Sequence, residues 1–204
     1  MSDLRRLVLA SASPARLALL QQAGLSPDVV VSDVDETAVD APRVAERVAL
    51  LAAAKAAAVA KQETDALVVA ADSLLEFRGR PLGKPADAAE ARLRWQRMSG
   101  RSGVLHTGHW VVDTRDAEDG GTGATLGAVA TTTVHFADVT DDEIAAYVAT
   151  GEPLAVAGAF TTDGLGGAFV RGIEGDHHNV VGISLPLLRE LLAEIGVAWT
   201  GLWR

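Results

Sequence analysis

The sequence predicts an α/β fold, and three observations support that prediction. Short apolar segments alternate along the chain with longer segments of helical character. Residues typical of helix starts and stops separate the two kinds of segment. The composition is 49% hydrophobic but only 4% aromatic, so a globular core must consist mainly of Ala, Val and Leu. With 204 residues and no visible repeat or linker, the chain is expected to form a single domain.

Local signals define the elements of the first half. Ser13 is a suitable N-cap, Pro14 suits the first helical turn, and Gly24 a C-terminal stop. An acidic turn at residues 32–36 follows the second strand, and an alanine-rich run then predicts a long helix. The predicted strands are Leu7–Ala10, Asp28–Val31, Leu67–Ala71, Val104–Asp113 and Ala128–Phe136. The predicted helices are Pro14–Gln22, Pro42–Lys61, Ala86–Met98, Asp141–Thr150 and Leu185–Ile195.

After the long helix, the central strand is expected to end at Asp72, and a hairpin turning at Arg78-Gly79 follows it. The spacing of Thr140 and Glu143 matches a capping box. The stretch from Asp116 to Gly127 is predicted to be an exposed loop, with a phosphate-binding glycine loop as the alternative. A second glycine-rich run precedes the last helix.

Charge and composition restrict the possible partners. With 18 basic and 27 acidic residues the net charge is -9, which argues against nucleic acid because binding to it relies on phosphate neutralisation. An anionic small substrate would need a local group of Lys and Arg or a bridging cation. The absence of cysteine excludes disulfides and thiol catalysis. The apolar run at Leu7–Ala10 is too short for a secretory signal and no membrane-spanning run is visible, so a cytoplasmic protein without membrane contact is expected.

Two acidic residues, Glu36 and Asp72, follow predicted strands, and α/β proteins tend to bind ligands at strand ends. Mg²⁺ is commonly held by one or two carboxylates together with water and substrate phosphate oxygens. The two residues are therefore a candidate metal pair. The alternative is that they are ordinary turn residues.

Candidate anion-binding residues occur in three places. Arg16 lies in the first helix, Lys55 among the alanines of the long helix, and Lys84 between Gly83 and Pro85. Ser11 and Ser13 could offer hydroxyls near a helix N-terminus, where free N–H groups favour anions. Lys55 could equally extend its ammonium group to solvent, and Ser13 could act only as a helix cap.

Four blocks of the sequence resemble the Maf family of nucleotide pyrophosphatases, in the same order as in that family. The blocks are LASASPAR at Leu9–Arg16, the segment from ADS to LGKP at Ala71–Pro85, SGR with LHTG at Ser99–Gly108, and the glycine-rich run at Gly158–Leu185. The resemblance extends from residue 7 to about 195. It implies a mixed, extended β-sheet with flanking helices and two lobes around a central cleft, as in Maf and inosine-triphosphatase-like folds.

The resemblance also implies a reaction and a set of roles. A nucleoside triphosphate, standard or modified, would be cut to the monophosphate and pyrophosphate by metal-assisted attack of water at the α-phosphorus. Ser11, Arg16, Lys55 and Lys84 would contact the triphosphate. Glu36 and Asp72 would hold the divalent metal (Mg, or Mn or Co) and the water, with Asp72 as general base. The family also suggests a homodimer.

Three positions differ from the usual family pattern. Ala15 replaces the first arginine of a pair, Ser73 replaces a threonine, and Asp163 stands where many members have glutamine. These positions resemble those that contact the base in pyrimidine-selective members, so Ser73 and Asp163 are candidate substrate-binding residues and the base preference is left open.

His177 and His178, interpreted as a strand, would point to opposite faces and would not share a metal ion. Asp176 and Asn179 beside them could brace the site.

Two other functions are compatible with parts of the sequence. Asp33 and Asp35 after a predicted strand fit a haloacid-dehalogenase-type phosphatase, with Asp33 as nucleophile, but the later acidic metal motif is missing. A nucleotide-binding regulator of cell division or septum formation, without significant turnover, would use the same lysines. Orthophosphate as product would identify the phosphatase, and triphosphate binding without turnover would identify the regulator.

Overall fold

The computed structural model describes residues 5–204. Its strands are β1 (Leu7–Leu9), β2 (Asp28–Val29), β3 (Leu67–Phe77), β4 (Arg80–Leu82), β5 (Ser102–Asp113), β6 (Thr125–Phe136) and β7 (Val170–Glu174). Its α-helices are α1 (Pro14–Gln22), α2 (Val44–Ala60), α3 (Ala88–Met98), α4 (Asp141–Ala149), α5 (His177–Val181) and α6 (Leu185–Glu194). Over this range the seven strands form one sheet in the order β2-β1-β3-β5-β6-β7, with β4 paired to β3. Because β1 pairs in parallel with β2 and β3 while β4 and β7 pair antiparallel, the predicted mixed α/β sheet is confirmed.

The chain divides into two compact units. The first comprises the described residues up to Asp72 together with Thr107–Ala130 and Gly182–Arg204. The second comprises Ser73–His106 and Thr131–Val181. The chain passes from one unit to the other within β3, β5 and β6, and again between Val181 and Gly182.

The first unit contains the parallel part of the sheet and helix α2. Val8 of β1 lies opposite Val68 of β3, and both are fully buried. Ala56 and Val59 of α2 pack in the same core cluster. Gly108 of β5 allows a close approach to this helix, because a Cβ atom there would overlap the Val48 backbone. The small alanines and this glycine therefore let α2 pack close to the sheet.

The second unit is built around aromatic side chains. Trp95 of α3 packs edge to face against Phe136 of β6 and Tyr147 of α4, with ring centroids 5.6 Å apart in both pairs. The Trp95 indole donates a hydrogen bond of 2.7 Å to the Ala159 carbonyl. Six of the nine aromatic residues thus lie in this unit, where they pack in one core cluster.

Several local predictions are confirmed. Helix α1 has the predicted bounds, and the Ser13 side chain accepts a hydrogen bond from the Arg16 N–H as N-cap. The capping box of Thr140 and Glu143 is present at the start of α4. The β3–β4 hairpin turns at Arg78 (φ 53°) and Gly79 (φ 73°), the positive values that a tight hairpin turn requires.

Two predictions are wrong. The central strand does not end at Asp72 but continues to Phe77, because Leu74, Leu75 and Phe77 are buried and the strand pairs with β4. His177 and His178 do not lie in a strand; they begin the short helix α5, where His178 is held by Asp176 through a 3.1 Å contact. Strand β7 was not predicted within the glycine-rich run.

Candidate active site

The first unit brings two carboxylates together around one ammonium group. Lys55 Nζ lies 2.6 Å from Glu36 Oε1 and 2.6 Å from Asp72 Oδ1. The Lys55 and Asp72 side chains are 11% and 10% exposed, whereas that of Glu36 is 58% exposed. A buried charge needs a partner of opposite sign, because burial removes its hydration. Lys55 therefore points into a polar cluster and does not extend its ammonium group to solvent.

Each member of this cluster comes from a different element. Lys55 lies in α2 among alanines, and Asp72 lies inside β3 with its charge compensated. Glu36 begins a short 3₁₀ turn, and Asp35 before it accepts hydrogen bonds from the Thr37 N–H (3.0 Å) and hydroxyl (2.6 Å). These bonds lower the pKa of Asp35, the hydroxyl of Thr37 contributing most. Asp35 thus fixes the turn that presents Glu36.

Arg16 belongs to the same charged neighbourhood. Its Nη1 donates to Ser11 Oγ (3.1 Å), and its Nε donates to the Gly182 carbonyl (2.9 Å). Burial lowers the pKa of the Arg16 guanidinium, while the negative charges of Asp72 and Glu36 act in the opposite direction. The structure therefore brings Ser11, Arg16 and the Glu36–Lys55–Asp72 cluster together.

Ser11 and Ser13 form a tight start to helix α1. The Ser13 N–H donates to Ser11 Oγ (3.2 Å), and the Arg16 N–H donates to Ser13 Oγ (3.4 Å). Ser11 is buried and Ser13 is half-buried. The capping role of Ser13 is confirmed, and the contact of both serines with an anion stays a prediction.

The other three predicted site residues lie in the second unit. Lys84 is exposed and follows β4; the preceding Gly83 carbonyl accepts hydrogen bonds from Arg94 Nη1 (2.5 Å) and from the Gly158 N–H (3.1 Å). The backbone just before Lys84 is thus held in place, while Lys84 itself is exposed. Ser73 follows Asp72 in β3 and is half-buried, and Asp163 is exposed in the loop before a 3₁₀ turn at Leu165–Phe169.

The donor set fits a divalent cation of the Mg²⁺ type. Across residues 5–204, no group of three or more His, Asp or Glu side chains is placed to hold a metal. Glu36 and Asp72 supply two carboxylates, which suits a cation that keeps several waters and takes substrate phosphate oxygens as its other ligands. Arg16 and Lys55 balance the two negative charges of Glu36 and Asp72, so the cluster by itself is close to neutral.

The two aspartates of the haloacid-dehalogenase alternative do not form a comparable site. Asp33 is exposed in a left-handed conformation (φ 44°), and Asp35 is occupied with Thr37. Strand β2 ends at Val29, four residues before Asp33. The structure therefore gives Asp35 a capping role and removes the main support for that alternative.

The glycine-rich stretch from Asp116 to Gly127 contacts the buried residue Asp113 through Thr122, and this contact is structural. Asp113 is buried and accepts hydrogen bonds from Arg115 Nε (2.8 Å) and Nη2 (2.9 Å) and from Thr122. Burial alone would raise the pKa of Asp113, but these bonds hold it at about 2. No local pattern in the sequence points to Asp113 or Arg115, since the hydrogen bonds of Asp113 depend on the return of the loop at Thr122.

Sequence comparison identifies the relatives of this chain. The sequence model of the family described as Maf-like protein matches residues 6–195. A protein of Streptomyces coelicolor named nucleoside triphosphate pyrophosphatase is 59% identical, over 98% of this chain and 95% of its own length. Proteins of the same name from Salinispora tropica and Nostoc punctiforme are 60% and 48% identical, each over 97% of this chain and over 87% and 97% of their own lengths.

Similarity to solved structures is more distant. A HAM1 protein from Coxiella burnetii is 19% identical, with a TM-score of 0.47, covering 93% of this chain and 98% of that protein. A similarity of this degree transfers no property. Within the described residues, no helix is both long enough and apolar enough to cross a membrane.

Proposed function

The chain belongs to the Maf-like protein family, and on that premise we propose that it hydrolyses nucleoside triphosphates to the nucleoside monophosphate and pyrophosphate. The observation that carries the proposal is the Glu36–Lys55–Asp72 cluster with Arg16 beside it. A triphosphate and its cation need both signs of charge at one place, and this cluster offers both. Catalysis of phosphoryl transfer depends mainly on such positioning and electrostatics.

The cations and hydroxyls of the first unit bind the phosphate chain. Arg16 presents a guanidinium already oriented by Ser11 and Gly182, so little conformational entropy is lost when it binds phosphate oxygens. Ser11, Ser13 and the N-terminus of α1 add polar contacts. Lys55 shifts its ammonium group from the carboxylates toward the negative charge on the phosphoryl oxygens.

Glu36 and Asp72 would hold the divalent cation, with Mg²⁺ proposed and Mn²⁺ or Co²⁺ as substitutes. When bound, the cation makes water a better nucleophile and withdraws charge from phosphate oxygens. Asp72 acts as general base: it takes the proton of the water whose oxygen attacks the α-phosphorus. The bond between the α-phosphorus and the bridging oxygen breaks, and pyrophosphate leaves with that oxygen.

The second unit contributes residues whose roles rest on the family resemblance. Lys84 would neutralise phosphate charge, and Ser73 and Asp163 would contact the nucleoside. Ala15 removes one positive charge that many members carry at the start of α1. Because these positions differ from the pyrimidine-selective pattern, the proposed substrates include both standard and modified triphosphates.

The protein is further proposed to act as a cytoplasmic homodimer without nucleic-acid or membrane partners. The net charge of -9 supports the absence of nucleic acid. The dimer is an expectation from the family. Analytical ultracentrifugation of the full chain tests it directly, with a single species of about 21 kDa as the contrary result.

The decisive experiment is a screen of common and modified nucleoside triphosphates for pyrophosphate release with Mg²⁺, Mn²⁺ or Co²⁺. The parent should release pyrophosphate, and Asp72→Asn should lose about 100-fold or more of kcat, as expected for removal of a general base. Asp116→Asn is the matched control, since Asp116 is exposed and caps nothing with its side chain. Triphosphate binding without any pyrophosphate release would refute the proposal in favour of the regulator, and orthophosphate as sole product would indicate a phosphatase.

A further inference from the structure

The start of helix α6 is held by a histidine from a different element. Ser184 is the N-cap of α6, and its hydroxyl accepts a hydrogen bond from the Leu187 N–H (3.3 Å). The Ser184 N–H donates a hydrogen bond of 2.7 Å to Nε2 of His109, which lies in β5. Both residues belong to the first unit and are buried, with His109 0% and Ser184 3% exposed. This hydrogen bond therefore joins β5 to the N-terminus of α6 away from solvent.

His109 supplies an acceptor that the sequence of α6 lacks. In a capping box, a Glu or Gln at the third helical position accepts a hydrogen bond from the N–H of the N-cap residue, as Glu143 does for Thr140 in α4. The third helical position of α6 is Leu187, whose side chain cannot accept a hydrogen bond. A buried N–H without an acceptor destabilises the folded state. The His109 ring thus replaces the missing half of a capping box, from 75 residues earlier in the chain.

The hydrogen bonds of His109 define its protonation state. Its Nδ1 lies 3.0 Å from the Thr107 carbonyl oxygen, which can only accept, so Nδ1 carries a proton. Its Nε2 faces the Ser184 N–H, which can only donate, so Nε2 carries none. The ring is therefore neutral and held in one tautomer, with its Nε2 lone pair directed at α6.

Two residues before Ser184, the same segment contacts Arg16. The Gly182 carbonyl accepts a hydrogen bond of 2.9 Å from Arg16 Nε. Gly182 has a φ of 137°, which side chains rarely adopt, and a Cβ atom there would lie 3.1 Å from Arg16 Cγ and 3.2 Å from Arg16 Nε. Ile183, between Gly182 and Ser184, is fully buried, so the segment has little room to adjust. A shift of this backbone would therefore displace the Arg16 guanidinium.

We propose that His109 is a positioning residue for Arg16. It fixes Ser184, and the short segment 182–184 transmits that position to the Gly182 carbonyl and so to the guanidinium, while His109 itself does not touch the substrate. The inference rests on the proposed function, since it assigns Arg16 to the phosphate chain. Every residue of this connection lies in the first unit.

Replacing His109 with leucine removes the acceptor, and replacing it with glutamine restores one. The Oε1 atom of glutamine can accept from the Ser184 N–H at nearly the place of Nε2, whereas leucine has no polar atom. His109→Leu should raise the Kd of inorganic tripolyphosphate with Mg²⁺, measured by calorimetry, about tenfold, the effect of one misplaced charge-assisted hydrogen bond. KM for a hydrolysed triphosphate should rise similarly, while kcat falls less than about threefold. His109→Gln should keep Kd and KM within about threefold of the parent.

A double-mutant cycle separates the positioning of Arg16 from a general loss of stability. Arg16→Lys keeps the positive charge but removes the planar group that contacts Gly182 and Ser11 together. Adding His109→Leu to Arg16→Lys should therefore change the tripolyphosphate Kd by less than about twofold. Thr140→Ala is the control for stability: it weakens the cap of α4 in the second unit, so it should lower Tm without changing this Kd.

The outcomes separate the two proposals. The role of His109 is overturned if His109→Leu binds tripolyphosphate as tightly as the parent, or if its effect is as large beside Arg16→Lys as alone. If His109→Leu does not fold, His109→Asn is expected to give the same loss, since asparagine keeps an amide near Thr107 but is too short to reach the Ser184 N–H. A parent that binds tripolyphosphate but releases no pyrophosphate refutes the proposed function alone, and the Kd values still decide the role of His109. A parent that neither binds tripolyphosphate nor hydrolyses a triphosphate overturns both.

Discussion

Replacing Lys55 with methionine tests the charged cluster most directly. Methionine keeps much of the apolar stem of lysine but removes the ammonium group, leaving Asp72 buried without its direct ion-pair partner, so that Arg16 is the remaining nearby positive charge. Loss of one partner of a buried ion pair costs about 3–5 kcal/mol. The pair with the largely exposed Glu36 adds only about 0–1 kcal/mol. Because about a tenth of each of the two buried side chains still meets solvent, we expect the lower end, a loss of about 3 kcal/mol.

The assay is thermal and urea unfolding of the full chain at pH 7. For a chain of this length, 3 kcal/mol corresponds to a fall in Tm of roughly 6–12 °C. Lys61→Met is the matched control: this exposed lysine follows the same helix, and its loss should change the free energy of unfolding by less than about 0.5 kcal/mol.

A double-mutant cycle identifies the cause. If the cost comes from the unpaired Asp72 carboxylate, adding Asp72→Asn to Lys55→Met should restore about 1–3 kcal/mol. Millimolar Mg²⁺ should raise the Tm of Lys55→Met more than that of the parent, because a cation can replace the lost ammonium between Glu36 and Asp72. The reasoning is refuted if Lys55→Met has the same Tm and urea midpoint as the parent, or if adding Asp72→Asn restores none of the lost free energy of unfolding.

Three further predictions concern other parts of the chain. The pKa of Asp113 in the folded protein, about 2, is below its ordinary value of 3.8. The stabilisation that ionised Asp113 provides is therefore complete above about pH 4 and disappears as the pH falls toward 2. Asp113→Asn should lower the free energy of unfolding by about 2 kcal/mol at pH 7 and remove this part of its dependence on acid pH. Thr140→Ala should lower the free energy of unfolding by about 1 kcal/mol in urea titrations while pyrophosphate release is retained, and a drop in kcat would show that the cap does more than start a helix. Gly108→Ala should lower the free energy of unfolding by at least about 1–3 kcal/mol, because the added methyl group would overlap the Val48 backbone. Gly172→Ala is the control and should shift the urea midpoint little, because the nearest atom to its added methyl group is 3.9 Å away. Equal midpoints for the two variants would contradict the close packing of α2.

Signals confined to a few neighbouring residues were predicted well. The bounds of α1, the Ser13 cap, the capping box at Thr140 and the turn at Arg78-Gly79 each depend on contacts within four residues, so the local sequence contains all the necessary information. The residues of the Glu36–Lys55–Asp72 cluster were also predicted: the two acids from their apparent places after strands, Lys55 from its place among alanines, and all three from the family resemblance. The reasoning for Asp72 was wrong in one respect, since it lies inside a strand.

The sequence by itself therefore determined the alternation of strands and helices, the helix caps, the charge balance and the residue types available for binding a triphosphate. Only the tertiary structure decided that β3 continues past Asp72, that Lys55 neutralises two carboxylates, and that His109 accepts a hydrogen bond from Ser184, 75 residues further along the chain. The physical reason is that a buried charge is stable only beside its partner. The partner is brought there by packing, which the order of residues along the chain does not reveal.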